Sequence, residues 1–131
     1  MGADYKKAAR MIQSGSMQAA QAANLTRYYP VCGGPAGINN GVWRARLPRT
    51  IIAMRLRVFL NNFPGAGEQI AVTLYEAAAG TTLTVVITNA NTEGDDYVNV
   101  PVIAENSYWQ IEAVTSLNCN ATIATWCFEY R

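Results

Sequence analysis

The 131-residue sequence predicts an all-β protein: a single antiparallel β-sandwich or jelly roll of about eight strands, with an N-terminal arm that is partly helical or extended. Three observations predict this class. Apolar and polar residues alternate with a period of two through most of the chain after residue 25, which is typical of half-buried strands. Clusters rich in Gly, Pro, Asn and Asp separate these runs at short intervals. The chain length fits one domain with one core.

The predicted arm covers residues 1–25, and the predicted sandwich domain covers residues 26–131. The arm is rich in Ala, Gln, Met and Ser and has almost no β-branched residues. Asp4 can cap a helix from Tyr5 to Gln13, which Ser14-Gly15-Ser16 should end. Because isolated helices this short are marginal in water, we expect the arm to be either disordered alone or ordered by a partner.

Each predicted strand of the sandwich places its larger apolar side chains on one face. In chain order, these faces consist of Ile52, Met54, Leu56, Val58 and Leu60; Ile70, Val72 and Leu74; Leu83, Val85 and Ile87; Val98, Val100 and Val102; Trp109, Ile111 and Ala113; and Trp126, Phe128 and Tyr130. Residues 26–31 and 42–47 are weaker strand candidates. Pro101 has no backbone N–H to donate, so we expect its strand at a sheet edge or a bulge.

Composition excludes several classes of function. The sequence has no His, which removes Ser–His and Cys–His catalytic pairs and imidazole metal sites. A net charge of +1 gives no bulk attraction to nucleic acid or anionic membranes, and no apolar stretch approaches the ~20 residues of a membrane helix. A glycosidase needs a pair of carboxylates, but Glu68, Glu76, Glu105 and Glu112 fall on different predicted elements. We therefore expect no enzymatic activity and no cofactor.

The cysteines are candidates for a disulfide, and one acidic loop is a candidate for calcium binding. Cys127 falls in an apolar strand and is predicted to be a small core residue, whereas a bond between Cys32 and Cys119 stays open. Residues 89–95 are similar to the start of an EF-hand calcium loop, but Val100 stands where that loop needs a bidentate Glu. A polar hairpin loop without metal is therefore predicted there.

Basic residues are concentrated in one part of the sequence. Five of the ten Lys and Arg residues lie between Arg44 and Arg57. Alternation places Arg55 and Arg57 on one outward face, and Arg44 and Arg46 on a face of another strand. One interpretation is a basic stripe that meets an acidic partner surface, because the Arg fork pairs with carboxylates and is weakly hydrated. The alternative is a solvated strand face.

The block from Ile51 to Tyr130 resembles a small β-sandwich found among structural proteins of tailed bacteriophages. The resemblance is carried by a Gly/Pro loop at 61–67, a TL–loop–TxLxVxI hairpin at 73–87, an Asn/Thr/Gly/Asp loop at 89–96, a VxVxA strand end at 98–106 and a final strand pair. The hairpin turn departs from the family pattern, because Glu76-Ala77-Ala78-Ala79-Gly80 replaces the usual Asn-Gly.

The resemblance implies a non-enzymatic virion protein, most closely a homotrimeric capsid decoration (cement) protein. Its partners would be the major capsid protein and copies of itself, with no nucleic acid and no membrane. It would be assembled in the host cytoplasm and located on the capsid surface. We expect its contacts to come from the arm and from the arginines: Tyr5, Lys6, Lys7, Arg10, Met11, Ile12, Met17, Arg44, Arg46, Arg55 and Arg57.

A second function remains open: a head-fibre or tail-fibre tip that binds a receptor or carbohydrate. Aromatic residues make up 10% of the sequence, and exposed aromatic rings would stack on sugars. The alternative use of these aromatic residues is core packing and a trimer seam, where aromatic side chains are also abundant.

Overall fold

A computed structural model describes residues 11–15, 23–32, 37, 45–76 and 79–131. Within these ranges the chain forms strands and no helix, and two antiparallel sheets pack against each other as a β-sandwich. The strands are β1 (Met11–Gly15), β2 (Thr26–Tyr29), β3 (Ala45–Arg46), β4 (Ile51–Asn62), β5 (Gly65–Glu76), β6 (Ala79–Asn89), β7 (Glu93–Asp96), β8 (Val102–Ile103), β9 (Tyr108–Thr115) and β10 (Thr122–Tyr130). The predicted fold class is confirmed.

Each sheet contains five strands. Sheet 1 has the order β1-β10-β4-β7, with β8 also paired to β4, and sheet 2 has the order β2-β9-β5-β6, with β3 also paired to β9. The predicted β5–β6 hairpin lies within sheet 2. The connections β4–β5, β6–β7, β8–β9 and β9–β10 pass from one sheet to the other, so both sheets contribute to one core.

Aromatic side chains join the two sheets at the centre of the core. The Trp109 ring from sheet 2 meets the Phe128 ring from sheet 1 edge-on, with centroids 5.3 Å apart. The rings of Tyr29 and Trp126 meet at a tilt of 54°, with centroids 5.6 Å apart. The buried indole Nε1–H of Trp126 donates a 2.9 Å hydrogen bond to the Val31 carbonyl, which satisfies a polar group that would otherwise be costly to bury.

The apolar faces predicted for four strands are confirmed. The strands are β5, β6, β9 and β10. Their buried inward residues are Ile70, Val72, Leu74, Leu83, Val85, Ile87, Trp109, Ile111, Ala113, Trp126 and Phe128. Tyr130 is half-buried and packs against this core. The weaker candidates contain β2 and β3; β2 ends two residues before its predicted range does, and residues 42–44 of the second candidate lie outside the described residues.

The predicted face of β4 is wrong at its N-terminal end. Ile51 and Ala53 are buried, whereas Ile52 and Met54 are only half-buried. The register explains the difference, because Arg55 pairs with Glu129 while Ala53 pairs with Tyr130, which leaves Met54 as an extra residue. Such a β-bulge reverses the alternation on one side of itself. Leu56, Val58 and Leu60 beyond the bulge are buried as predicted.

The predicted strand through Val98, Val100 and Val102 is also wrong. All three valines are exposed, and only Val102–Ile103 forms a strand. The cause is Asp96 at the end of β7, whose Oδ1 accepts the backbone N–H groups of Val98 at 3.1 Å and Asn99 at 3.2 Å. A carboxylate that bonds the next backbone donors closes a turn rather than continuing a strand.

The N-terminal arm is extended over residues 11–15. β1 pairs antiparallel with β10 at the edge of sheet 1, from Met11 opposite Tyr130 to Gly15 opposite Trp126. The predicted helix is therefore wrong over residues 11–13, and its first part, residues 5–10, lies outside the described residues. The exposed backbone edge of β10 provides hydrogen-bond partners that outweigh a weak local helix preference.

The prediction that Cys127 is a core residue is wrong. Cys119 is the buried one, whereas Cys127 is half-buried and points to the outer face of sheet 1, opposite the face of Trp126 and Phe128. No disulfide joins Cys119 to Cys32, which is exposed. The part of the chain that the structure describes also has no helix long and apolar enough to cross a membrane.

Candidate functional site

The outer face of sheet 1 carries a row of paired charges. Arg55 on β4 donates from Nε to both carboxylate oxygens of Asp95 on β7, at 2.9 and 3.2 Å, and also from Nη2. Arg57 lies two residues further along the same face, with Nη2 3.9 Å from Glu93 and its guanidinium 5.0 Å from the Phe59 ring centroid. The arginines thus have acidic neighbours within their own chain.

Electrostatics follow from this pairing. The hydrogen bonds from Arg55 lower the pKa of the Asp95 carboxyl, and the same bonds raise the pKa of Arg55. Both groups therefore stay ionised at neutral pH, and their charges largely cancel at the surface. The prediction that Arg55 and Arg57 share an outward face is confirmed.

Arg46 lies on a different surface. It belongs to β3 in sheet 2, and its guanidinium sits 4.7 Å above the ring centroid of Tyr108 while Nη2 donates to the Tyr108 hydroxyl. Arg44 lies outside the described residues. The described arginines therefore do not form one continuous stripe, because sheet 1 holds Arg55 and Arg57 and sheet 2 holds Arg46.

An open groove borders the charged row at one end of sheet 1. Met54, Arg55, Tyr97 and Glu129 line it, and its volume is about 380 Å³. The β4 bulge contributes to this groove, because it turns Met54 away from the core. The groove thus combines apolar side chains with one charge of each sign.

An exposed apolar segment begins at the same groove. We call Tyr97, Val98, Val100 and Val102 the valine strip; their side chains are 68%, 77%, 45% and 62% exposed. Scattered exposed apolar residues are normal on a protein surface, but contiguous ones mark interaction sites. The sequence analysis placed the three valines on the inward face of a strand, and the structure places them at the surface instead.

The described residues of the arm add two exposed apolar side chains. Met11 and Ile12 on β1 are 48% and 64% exposed. Ile12 pairs with Glu129 of β10, so it shares the outer face of sheet 1 with the groove. The other predicted arm contacts, Tyr5, Lys6, Lys7, Arg10 and Met17, lie outside the described residues.

The outer face of sheet 2 holds a cluster of polar aromatic residues that the sequence did not identify. Glu112 on β9 lies directly opposite Tyr28 of β2 and Thr73 of β5. The rings of Tyr28 and Tyr75 approach each other over the intervening β9, with centroids 5.3 Å apart. Alternation places Tyr75 and Glu112 outward, but the strand register that brings them together with Tyr28 is not available from one sequence.

Burial raises the pKa values of two groups in this cluster, Glu112 and Tyr28. Burial raises the pKa of Glu112, and a hydrogen bond from Tyr28 opposes that shift without cancelling it. Burial and the Glu112 charge raise the pKa of Tyr28 to about 12. The cluster can therefore donate and accept hydrogen bonds beside aromatic surface, which is the chemistry of a polar ligand site.

Three of the four acidic residues from the sequence analysis lie on β5 and β9. Glu68 accepts hydrogen bonds from Ser116 and Asn118 at one end of β5, while Glu76 at the other end accepts the Ala104 N–H at 3.3 Å. Glu112 faces Tyr28 instead. Among the described residues, no group of three or more Cys, Asp or Glu side chains is placed to hold a metal ion.

The predicted polar loop after β6 connects the two sheets rather than closing a hairpin. Asn89 adopts a positive φ of 56°, and its Oδ1 accepts the Gly67 N–H at 2.9 Å. Asp95 is bound by Arg55, so the side-chain oxygens of Asn89 and Asp95 have separate partners.

No family model matches this chain, and no curated protein matches it.

Proposed function

We propose that this protein is a non-enzymatic structural protein of a virion, and specifically a capsid decoration protein that binds the major capsid protein as a homotrimer. The observation that carries the proposal is β1, which presents arm residues as an extended strand at the edge of sheet 1, with Met11 and Ile12 exposed. An arm that is extended and apolar at the surface is suited to binding another protein.

The geometry of β1 supports this role in two ways. One side of β1 pairs with β10, and the sheet order gives it no second neighbour among the described strands. Its other backbone edge is therefore available for strand addition, in which main-chain hydrogen bonds supply affinity and alternate side chains supply specificity. Met11 and Ile12 would provide those side-chain contacts.

The charge distribution of sheet 1 also favours apolar and main-chain contacts over ionic ones. Arg55 is paired with Asp95, and Arg57 lies near Glu93, so sheet 1 offers little unbalanced positive charge. Apolar and main-chain contacts would then supply most of the affinity for the capsid. Three arms in one trimer would bind at a high effective concentration, which lets weak individual contacts hold a shell together.

The experiment compares shell binding by a double variant, Met11→Ser with Ile12→Ser, and by the wild type. Losing roughly 1 kcal/mol of burial at each side chain should weaken binding by about 30-fold per arm. The assay is cosedimentation with empty shells assembled from the major capsid protein of the same genome. Leu117→Ser is the matched control, because Leu117 is similarly exposed but lies in the connection between β9 and β10, outside the pairing with β1. Wild-type binding by the double variant would contradict the proposal.

A second candidate is carbohydrate binding by a fibre tip, and the cluster on sheet 2 favours it. Tyr28 and Tyr75 offer ring surface for stacking, and Glu112 offers a hydrogen-bond acceptor for sugar hydroxyls. A glycan array probed with the wild type and with Tyr75→Ala separates the two functions. Glycan binding that disappears in the variant supports a fibre tip, and a blank wild-type array rejects it.

A further inference from the structure

β1 is the least protected of the four edge strands that the structure describes. The open side of β2 is covered by Gly37, which exchanges two backbone hydrogen bonds with Tyr28, at 2.9 and 2.7 Å. On β6, the Thr84 N–H is bonded by the Asp96 carboxylate at 3.1 Å. β7 is four residues long and three of them are acidic, which deters pairing with another strand. β1 has no charged residue and no second neighbour among the described strands, so another strand can be added there.

Alternation identifies the backbone groups of β1 that face its open edge. The Gly15 carbonyl points toward β10, because it accepts the Thr125 hydroxyl at 2.9 Å. Successive residues of a strand point their backbone groups to opposite sides, so those of Ile12 and Ser14 face the open edge. The Ser14 carbonyl accepts a local hydrogen bond from the Gln13 side chain at 3.1 Å, which an added strand can replace. An added strand must therefore match two residues whose positions differ by two.

A second copy of β1 meets this requirement in one antiparallel register. When Gln13 lies opposite Gln13 of the second copy, Ile12 of each copy lies opposite Ser14 of the other. The groups that face the open edge of one strand then meet those of the other. Each such pair exchanges two backbone hydrogen bonds, so the two pairs make four.

The side chains fit the same register. Met11 and Ile12 are exposed, and this register places Met11 opposite Gly15 and Ile12 opposite Ser14, so each large apolar side chain meets a small residue. Charge does not oppose the contact. Glu129 pairs with Ile12 from the other side, and the two copies of Glu129 are three strand spacings apart, or ~14 Å, beyond the screening length of ~8 Å at physiological ionic strength.

We propose that β1 is a self-pairing edge: in the protein without a shell, the β1 strands of two copies pair antiparallel across a two-fold axis at Gln13. The two copies of sheet 1 then form one continuous sheet. Because both copies use the same edge, the pair closes and leaves no β1 edge for further growth. The inference goes beyond the proposed function, since it concerns the protein before a shell binds; the shell then replaces the second copy at this edge. One strand pair is a small interface, so dilution should reverse the association.

A cysteine at the two-fold axis tests the register. Opposed residues of a non-hydrogen-bonded pair have Cα atoms about 4.5 Å apart, which a disulfide can span, so Gln13→Cys should form a covalent dimer under mild oxidation. Ile12→Cys is the matched control, because its two copies are diagonal neighbours at about 7–8 Å and should not be linked. Both variants also carry Cys32→Ser, since Cys32 is exposed and would compete for cross-linking. The readout is a non-reducing gel.

Ile12→Pro tests the backbone hydrogen bonds in the protein without a cross-link. It removes the N–H that faces the open edge, and pairing with β10 does not use this group, so β1 should stay in place. The dissociation constant of the pair, measured by light scattering over a dilution series, should rise about 30-fold, because each pair loses two of its four hydrogen bonds. Ile12→Val keeps the N–H and should associate like the wild type.

Two results would overturn the inference: no covalent dimer of the Gln13→Cys protein, or the same mass for Ile12→Pro and the wild type throughout the dilution series. Failure of the proposed function gives a different result. Copies that pair through β1 but leave shells unbound contradict only the capsid role, whereas copies that bind shells without pairing in solution contradict only this inference.

Discussion

The buried Asp96 carboxylate should be an important polar group for stability. Replacing it tests the hydrogen bonds that join β7 of sheet 1 to β6 of sheet 2. Asp96 is only 7% exposed and belongs to β7 of sheet 1. Its Oδ2 accepts the backbone N–H of Thr84 on the edge strand β6 of sheet 2, at 3.1 Å. The same carboxylate caps the turn at Val98 and Asn99.

We expect Asp96→Ala to lower the free energy of unfolding by about 2–3 kcal/mol. Each of the four hydrogen bonds has a net value near ~1 kcal/mol, and the donors of the exposed Val98 and Asn99 can regain water, which limits the loss. For a domain of this size the change corresponds to a fall in Tm of about 10 °C. Asp96→Asn keeps one acceptor oxygen and should lose less. The assay is urea denaturation followed by Trp fluorescence.

The pH dependence gives a second readout of the same group. Burial raises the pKa of Asp96, but the hydrogen bonds from Asn99, Thr84 and Val98 outweigh burial and hold it below its usual value. A carboxyl with a lowered native pKa contributes stability above its unfolded pKa, near ~4, and loses that contribution as pH falls through the native value. Asp96→Asn should therefore flatten the acid limb of the stability curve. Equal stability of Asp96→Ala and wild type, or an unchanged acid limb, would refute the reasoning.

Three further substitutions test packing, register and burial. Gly94→Ala should destabilise by about 1–3 kcal/mol in urea, because its Cβ would come within 2.9 Å of Ile87 Cγ1; an unchanged midpoint argues against this close approach. Ser14→Cys should form a disulfide with Cys127, its cross-strand partner, and so have two titratable thiols against three in the wild type, whereas Ile12→Cys should keep all four. Glu112→Gln should be more stable than wild type at neutral pH, since a raised native pKa penalises the ionised carboxylate; a lower urea midpoint counts against the burial argument.

The fold class could be predicted from the sequence because most strands have a clear alternation. In β5 and β6 every predicted inward residue is buried, and the two strands pair without a register shift from Gln69 to Thr73. The bulge at Met54 could not be predicted, because it arises from the pairing of β4 with a distant strand. β1 was missed for a similar reason: its conformation is set by β10, more than a hundred residues away in the chain, and not by its own residues.

In the candidate sites, too, the outward face of a residue could be predicted from the sequence, whereas its neighbours on other strands could not. The outward face of Arg55 and Arg57 followed from alternation alone. Their acidic neighbours in β7 did not, because a single sequence does not reveal which strand lies beside β4. The cluster of Tyr28, Tyr75 and Glu112 likewise depends on three strands coming into register. The sequence therefore predicts that Arg55 and Arg57 face outward, but their acidic neighbours are visible only in the structure.

The most direct test of the capsid role is a binding isotherm of wild-type protein on purified empty shells of the major capsid protein. The account predicts saturable binding, with a stoichiometry that reflects the symmetry of the shell, and bound shells that resist heat better than bare ones. Protein that stays in the supernatant at every concentration, with shells no more stable than before, would contradict it.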